Sequence, residues 1–549
     1  PLHRRHCAQP RLRAIVFSVN SASHRYRRIT SLLRRVGTLA AASGLLLLVL
    51  AGCRNPTVVE YEPYESPGRI EPGYPDAPDE DTHYHLQWHL RTIRMPGAWA
   101  ILKDPSMQGL FDAVTIAVLD NGIRPAADIS DIYGNLFVNG ASTDGGYDFF
   151  DDDTDPREDV SSDAHGSHVA GTISAETNNG GGVSGIGWDT LTVMPVRALG
   201  ANDGNTADLT DAIYYSAQSS DGGVAPPSRR SSVINMSLGG GAPDMVLYDA
   251  IDHAVGQGIT VVAAAGNDGG SVIYPAAFDN TVAVSATDIN DELSYYSNRG
   301  PAVDFSAPGG DNRVDRNSDG YPDGVLSTID TDSAVEWYEV EDGFAFYQGT
   351  SMATPHVSGV VGLLYSYAPN LTQDAVYAIL ANTAKDLGEP GHDEQFGHGL
   401  IDAQAALEYL INAGRDYPVQ PRTLGGGGDE RGGGISSAAV SSLAVDGAGR
   451  NRGRRPTQRR GAILPEAGAA LDTTSIIIKL TERAEDRRGL AAARSLADGI
   501  GAEGAVPIGG RLYRVDLQGA GNVEASIRAL GTHEDIEYAQ PNYRYSLIE

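Results

Sequence analysis

Between Gln87 and about Leu410 short apolar runs alternate with helical patterns, and this alternation limits the fold more than any other feature of the sequence. Val114–Leu119, Leu191–Val196, Val233–Met236, Thr260–Ala263 and Thr281–Ser285 are unbroken apolar stretches instead of in-out alternations. Strands of that kind need cover on both faces, as in a parallel sheet flanked by helices. The spacing predicts helices over 165–176, 206–219, 243–257, 351–367, 372–383 and 402–411. The expected architecture is therefore α/β, a doubly wound, mostly parallel sheet.

Composition shifts divide the remainder of the 549 residues. Residues 1–52 hold nine arginines and no acid, then an apolar run from Leu39 to Leu50, and read as an export leader. That run is too short to span a bilayer comfortably. Residues 53–85 are rich in Pro, Glu, Asp and Tyr and read as an extended tether. A large α/β unit fills 86–412, and 413–470 is a flexible linker with Gly425 to Gly428 and six arginines between Arg450 and Arg460. Residues 471–549 look folded again. Strands at Thr474–Leu480, Gly504–Ile508, Leu512–Leu517 and Ile536–Tyr543, with helices over 484–499 and 522–530, give the order βαββαβ, which predicts a small ferredoxin-like α+β domain.

The formal charge is −30 despite the basic leader. A body so acidic repels nucleic acid and favours cationic segments and divalent cations, although halophile-like adaptation gives the same surplus. The only cysteines are Cys7 and Cys53, so no disulfide framework is available once the leader is removed.

Three widely separated patterns carry chemistry. Asp120 follows the apolar run 114–119, at the carboxyl end of a strand where open parallel sheets place their sites. His165 opens a helix in His165-Gly166-Ser167-His168, with small residues after it. Ser351 sits in Gly349-Thr350-Ser351-Met352-Ala353-Thr354-Pro355, at a Gly-led helix start that favours developing negative charge. In this order the three patterns resemble the subtilisin-like serine peptidases over the whole 87–410 region. The resemblance implies a serine endopeptidase acting on protein or peptide substrates: Ser351 as nucleophile, His165 as general base and acid, and Asp120 orienting the imidazole. It implies Asn267 as an oxyanion donor, and Ser237, Leu238, Gly239, Ala265 and Gly266 as substrate-binding residues. His168 and His356 are expected to pack beside the site without acting.

Leu50-Ala51-Gly52-Cys53 resembles a bacterial lipobox, which implies acylation of Cys53 and attachment to a lipid membrane, with Arg54 leaning toward the outer membrane or cell surface. Asp315, Asn317, Asp319 and Asp323, with Gly320 between, match the opening of a calcium loop; position 12 is Leu326, so an EF-hand is incomplete. No cofactor is expected for catalysis, and calcium is expected in a structural role. Residues 471–549 also resemble the subtilase propeptide, displaced from its usual place before the catalytic unit. That resemblance implies an intramolecular chaperone or inhibitor, with Tyr545 to Glu549 near the cleft. Two other classes fit parts of the sequence: a non-catalytic lipoprotein using the scaffold for binding, and a polyanion binder acting through the Arg-rich linker.

Overall fold

The computed structural model describes residues 81–548 except 125–136, 139–140, 143–145, 158–163, 201–202, 220–223, 330–338, 342, 416, 418–460, 466–468 and 518–521. All of these belong to one compact unit, Ser66–Glu549. The leader, most of the tether, Cys53 and most of the linker lie outside the described residues.

The central sheet contains β1 (Val114–Asp120), β2 (Tyr147–Asp148), β3 (Leu191–Arg197), β5 (Val233–Met236), β7 (Thr260–Ala264), β8 (Val282–Thr287) and β9 (Phe305–Pro308); β4 (Gly204–Asn205) and β6 (Leu238–Gly239) lie outside it. Its order is β9-β8-β7-β5-β1-β3-β2, and every pairing is parallel. Strands β5, β7 and β8 are buried along their length, as cover on both faces requires.

Two short helices, α1 (Trp88–Thr92) and α2 (Met95–Lys103), lead into the sheet. On one face pack α3 (His165–Ser174) and α6 (Thr350–Tyr367), with α7 (Gln373–Thr383) and α8 (Ala403–Ala413) outside them. On the other pack α4 (Thr206–Ser216) and α5 (Met245–Gly256). Asn205, Asp244, Thr372 and Asp402 cap α4, α5, α7 and α8 through side-chain oxygens, which explains why those boundaries were readable in advance. A small antiparallel sheet of β10 (Val325–Thr328), β11 (Glu339–Glu341) and β12 (Phe344–Tyr347) covers α3.

The C-terminal segment adds β13 (Gly461–Ala462), β14 (Leu471–Leu480), β15 (Gly504–Pro507), β16 (Leu512–Asp516) and β17 (Ile536–Leu547). Its strands lie in the order β17-β14-β16-β15, all antiparallel, with β13 added parallel to β17. The single helix expected over 484–499 is two, α9 (Glu482–Arg488) and α10 (Leu490–Gly499), broken at Gly489. Gly489 adopts φ +39°, outside the helical region and open to glycine without steric cost. Helix α11 (Val523–Leu530) completes this unit, which has its own core around Ile476, Ile478, Val515 and Ile527.

The opposite face of this sheet is covered in large part by the larger unit, with Val506 left 42% exposed. Ile477, Leu512, Tyr538, Tyr543, Tyr545 and Leu547 join the apolar cluster of α4 and α5, so this face is buried against the larger unit there. Lys479 pairs with Asp249 on α5, and the Tyr538 hydroxyl donates to the same carboxylate at 3.1 Å. Strand β17 then continues past its own sheet: Arg544 and Tyr545 pair with Asn205 and Gly204, and Ser546 and Leu547 with Gly239 and Leu238.

Candidate active site

Strand β1 delivers Asp120 to the carboxyl edge of the sheet, where its side chain is fully buried. One carboxylate oxygen accepts from His165 Nδ1 at 2.8 Å and from the Asn121 amide at 2.9 Å. That contact fixes the imidazole tautomer and presents Nε2 to the cleft. His165 is placed by close helix packing: a Cβ on Gly166 would come within 2.0 Å of the Gly122 carbonyl. Ala164, just before the helix, is held at φ +58°, a left-handed conformation that costs about 1–2 kcal/mol for a residue with a Cβ.

Ser351 is the second residue of α6 and is buried. Pro355, four residues on, has no N–H and so leaves the Ser351 carbonyl without its helical partner. The Ser237 hydroxyl takes that place, donating at 2.8 Å. This tie between the nucleophile helix and the segment before β6 was not anticipated from sequence; the signal for it is the proline inside a helical pattern. The Ser351 hydroxyl lies 3.1 Å from the Ser237 carbonyl and 2.7 Å from the Ile548 carbonyl.

Asn267 faces the same carbonyl, with Nδ2 donating to Ile548 O at 3.1 Å. Its Oδ1 accepts from both the amide and the hydroxyl of Thr350 at 2.9 Å, which sets the amide so that the NH₂ points into the cleft. Gly349 is needed beside it, since φ there is +151° and a Cβ would stand 3.0 Å from Asn267 Nδ2.

Leu238 and Gly239 pair with the tail as an added antiparallel strand, and β4 supplies a second pairing edge that the sequence reading lacked. Ala265 and Gly266 are buried, and their backbone groups bond within the unit: Ile273 N to Ala265 O at 3.1 Å and Gly266 N to Thr350 Oγ1 at 3.1 Å. They form wall, not pairing edge. A Cβ on Gly239 would lie 2.5 Å from Ile273 Cδ1 and 3.1 Å from Ile548 Cδ1, so both side chains occupy the space over that glycine.

The other histidines lie apart from this chemistry. His168 stacks on Tyr347 at 4.4 Å and contacts the Val325 carbonyl, and burial pushes its pKa down to about 3. His356 donates from Nδ1 to the Met352 carbonyl and meets His89 Nδ1 at 2.7 Å. Burial lowers its pKa to about 4 and that of His89 well below the usual value.

In the loop 315–323 the side chains turn onto the loop's own amides. Asp319 N donates to Asn317 Oδ1 at 2.9 Å and to Asp315 Oδ1 at 3.2 Å, Tyr321 N to Asp319 Oδ1 at 2.9 Å, and Arg316 N to Asp323 Oδ2 at 2.8 Å. Among the described residues no group of three or more His, Cys, Asp or Glu side chains is placed to hold a metal ion. No described helix is long and apolar enough to cross a membrane.

Comparison with known proteins bears on the family of the chain. An extracellular protease of Xanthomonas campestris pv. campestris is 36% identical over 362 residues, covering 60% of this chain and 57% of that one. A thermophilic serine proteinase of Bacillus sp. (strain AK1) is 34% identical over 332 residues, covering 60% and 69%. Thermitase of Thermoactinomyces vulgaris is 30% identical over 335 residues, covering 61% of this chain and all of that one. The chain spans only about half to three-fifths of the length of several such relatives. Residues 112–399, which hold Asp120, His165, Asn267 and Ser351, match the model of the subtilase family, and the chain belongs to that family.

Proposed function

We propose that this chain is an exported serine endopeptidase in which Ser351 attacks the peptide carbonyl, His165 relays the proton and Asp120 orients the imidazole. The observation that carries the reading is the carbonyl of Ile548. It lies between the Ser351 hydroxyl and Asn267 Nδ2, at the end of a segment paired as an added strand, where a substrate carbonyl would be polarised. The hydroxyl would add to that carbonyl carbon as its proton passes to His165. Collapse of the tetrahedral adduct would expel the amine, which takes the proton back, and water would then hydrolyse the acyl-enzyme. A fluorophosphonate should label the chain on Ser351 alone. Absence of label from both the full chain and a chain lacking residues 544–549 would favour a scaffold that only binds.

The C-terminal unit is read as a ferredoxin-like, propeptide-like inhibitor acting in cis, since its last strand occupies the cleft in the manner of a substrate. The linker, 413–470, gives ample reach for such docking.

Two finer parts of the reading have their own tests. Calcium is proposed at Asp315, Asn317, Asp319 and Asp323. The donors are hard oxygens, and Asp323 Oδ1 is buried with no hydrogen-bond partner. Chelation should lower the melting temperature by several degrees and added calcium should restore it; an unchanged melting curve removes the metal. Cys53 is proposed as the acylated anchor. Cys53→Ser should move the protein from the membrane fraction to the soluble fraction, and an unchanged distribution argues for an ordinary leader.

A further inference from the structure

The end of β17 and the residue after it place Tyr545, Ser546, Leu547 and Ile548 in the cleft, with the Ile548 carbonyl held by Ser351 and Asn267. Ser546 is exposed, whereas Tyr545, Leu547 and Ile548 are 2%, 6% and 6% exposed. Two features receive the tyrosine. Gly240 lies against its ring, and a Cβ there would stand 3.1 Å from both Cδ1 and Cε1, so the missing side chain leaves a flat slot. Beyond the slot the phenol hydroxyl donates to Asp244 Oδ2 at 3.1 Å. Asp244 is fully buried and begins α5.

The catalytic unit leaves this carboxylate incompletely satisfied. Oδ1 accepts the amides of Val246 and Leu247 at 2.9 and 3.1 Å, while Oδ2 accepts Thr206 Oγ1 at 2.5 Å. The two remaining donors, Tyr545 OH and Gln540 Nε2 at 2.7 Å, both come from the C-terminal unit. A carboxylate only accepts, and each oxygen has two lone pairs. Once the tail leaves, one lone pair of Oδ2 faces the slot. A ring ending in a donor fills the slot and satisfies that lone pair. Phenylalanine fills the slot and leaves a buried acceptor unpaired, which is the costlier state. A lysine or arginine would meet the carboxylate but leave the ring-shaped space poorly packed. The amides at the helix start already offset the carboxylate charge, so a neutral donor suffices.

We propose that Asp244 and Gly240 form a specificity pocket that selects tyrosine at the fourth residue before the cleaved bond. The proposal rests on the peptidase reading above. In substrates the pocket reads the phenol, and in the intact chain it holds the inhibitory strand by the same contact.

The test is competition between tetrapeptide anilides X-Ser-Leu-Ile, with X as Tyr, Phe, Leu or Arg, hydrolysed as a mixture by the full chain. In a mixture the ratio of initial rates is the ratio of kcat/KM, whatever fraction of the enzyme the tail occupies. The expected Tyr-to-Phe ratio is about tenfold or more, since a hydrogen bond to a charged group is lost. Asp244→Ser keeps a capping hydroxyl at the helix start but falls short of the phenol, so the ratio should approach one. A wild-type ratio near one, a ratio that survives Asp244→Ser, or faster cleavage of the arginine peptide overturns the proposal. If no peptide is hydrolysed by the full chain or by a chain stopped after Tyr543, the peptidase reading fails, and the pocket is judged without turnover. In the full chain carrying Ser351→Ala, Tyr545→Phe should speed hydrogen exchange of the amides of 544–547 about tenfold, and unchanged exchange overturns it.

Discussion

Ser351→Ala lowers hydrolysis of an unfolded protein by about 10⁵-fold or more, measured on a chain whose tail has been removed so that the cleft is open. The expectation follows from how the three groups act. The hydroxyl is nucleophilic only as His165 takes its proton, so losing either should cost about the same, and losing both little more. Asp120→Asn should cost about 10⁴-fold: the 2.8 Å contact to His165 Nδ1 survives in outline, but the tautomer it enforces does not. The folded state should change little, because Ser351 is small and its carbonyl keeps the Ser237 hydroxyl as partner. A Ser351→Ala protein that still cleaves within about tenfold of the parent rate rules out the acyl-enzyme route.

A chain stopped after Tyr543 should hydrolyse a small peptide anilide about 10²–10³-fold faster than the full chain. The tail buries Tyr545, Leu547 and Ile548. Each such side chain contributes roughly 1.5–3 kcal/mol before the cost of ordering the strand. A net of about 4 kcal/mol holds the cleft closed in all but roughly one molecule in a thousand. Leu547→Asp tests the same contact without shortening the chain, because it places a charge at a buried position that pairs with Leu238. Agreement between the two variants assigns the gain to an emptied cleft. Equal rates for all three proteins mean that the tail does not inhibit.

The large unit was legible because its signals are local. A continuous apolar run such as Val114–Leu119 is buried on both faces wherever it goes, and an aspartate at its end falls at the sheet's carboxyl edge. The helix starts at His165 and Ser351 carry small residues because neighbouring backbone comes close, as Gly166 against Gly122 shows. What escaped the sequence depends on partners far along the chain. Strand β17 was expected to end at Tyr543, yet it runs to Leu547 because Gly204, Asn205, Leu238 and Gly239 pair with it from some 300 residues away. No pairing role for Gly204 and Asn205 was legible in the sequence, and only the tail reveals them as an edge. Asp244 likewise reads as a cap, and it is one; its second task needs Tyr545 in place. In 315–323 the loop's own amides take most of the side-chain oxygens and leave Asp323 Oδ1 buried without a partner, a division that residue spacing alone does not reveal.

Strand β17 serves two masters within twelve residues. Its first half lies in the small sheet between Gly461–Ala462 and Leu471–Leu480, and its second half lies in the cleft, with no loop between them. A loop would let the tail swing out while the small sheet stayed intact. Without one, occupancy of the cleft and integrity of the small core around Ile476 and Val515 become a single cooperative equilibrium. On the proposed inhibitory reading, latency would be thermodynamic stability by another name. Whatever melts or nicks the C-terminal unit would then act as the key, and the threshold for opening would be the unfolding free energy of the small unit together with its interface.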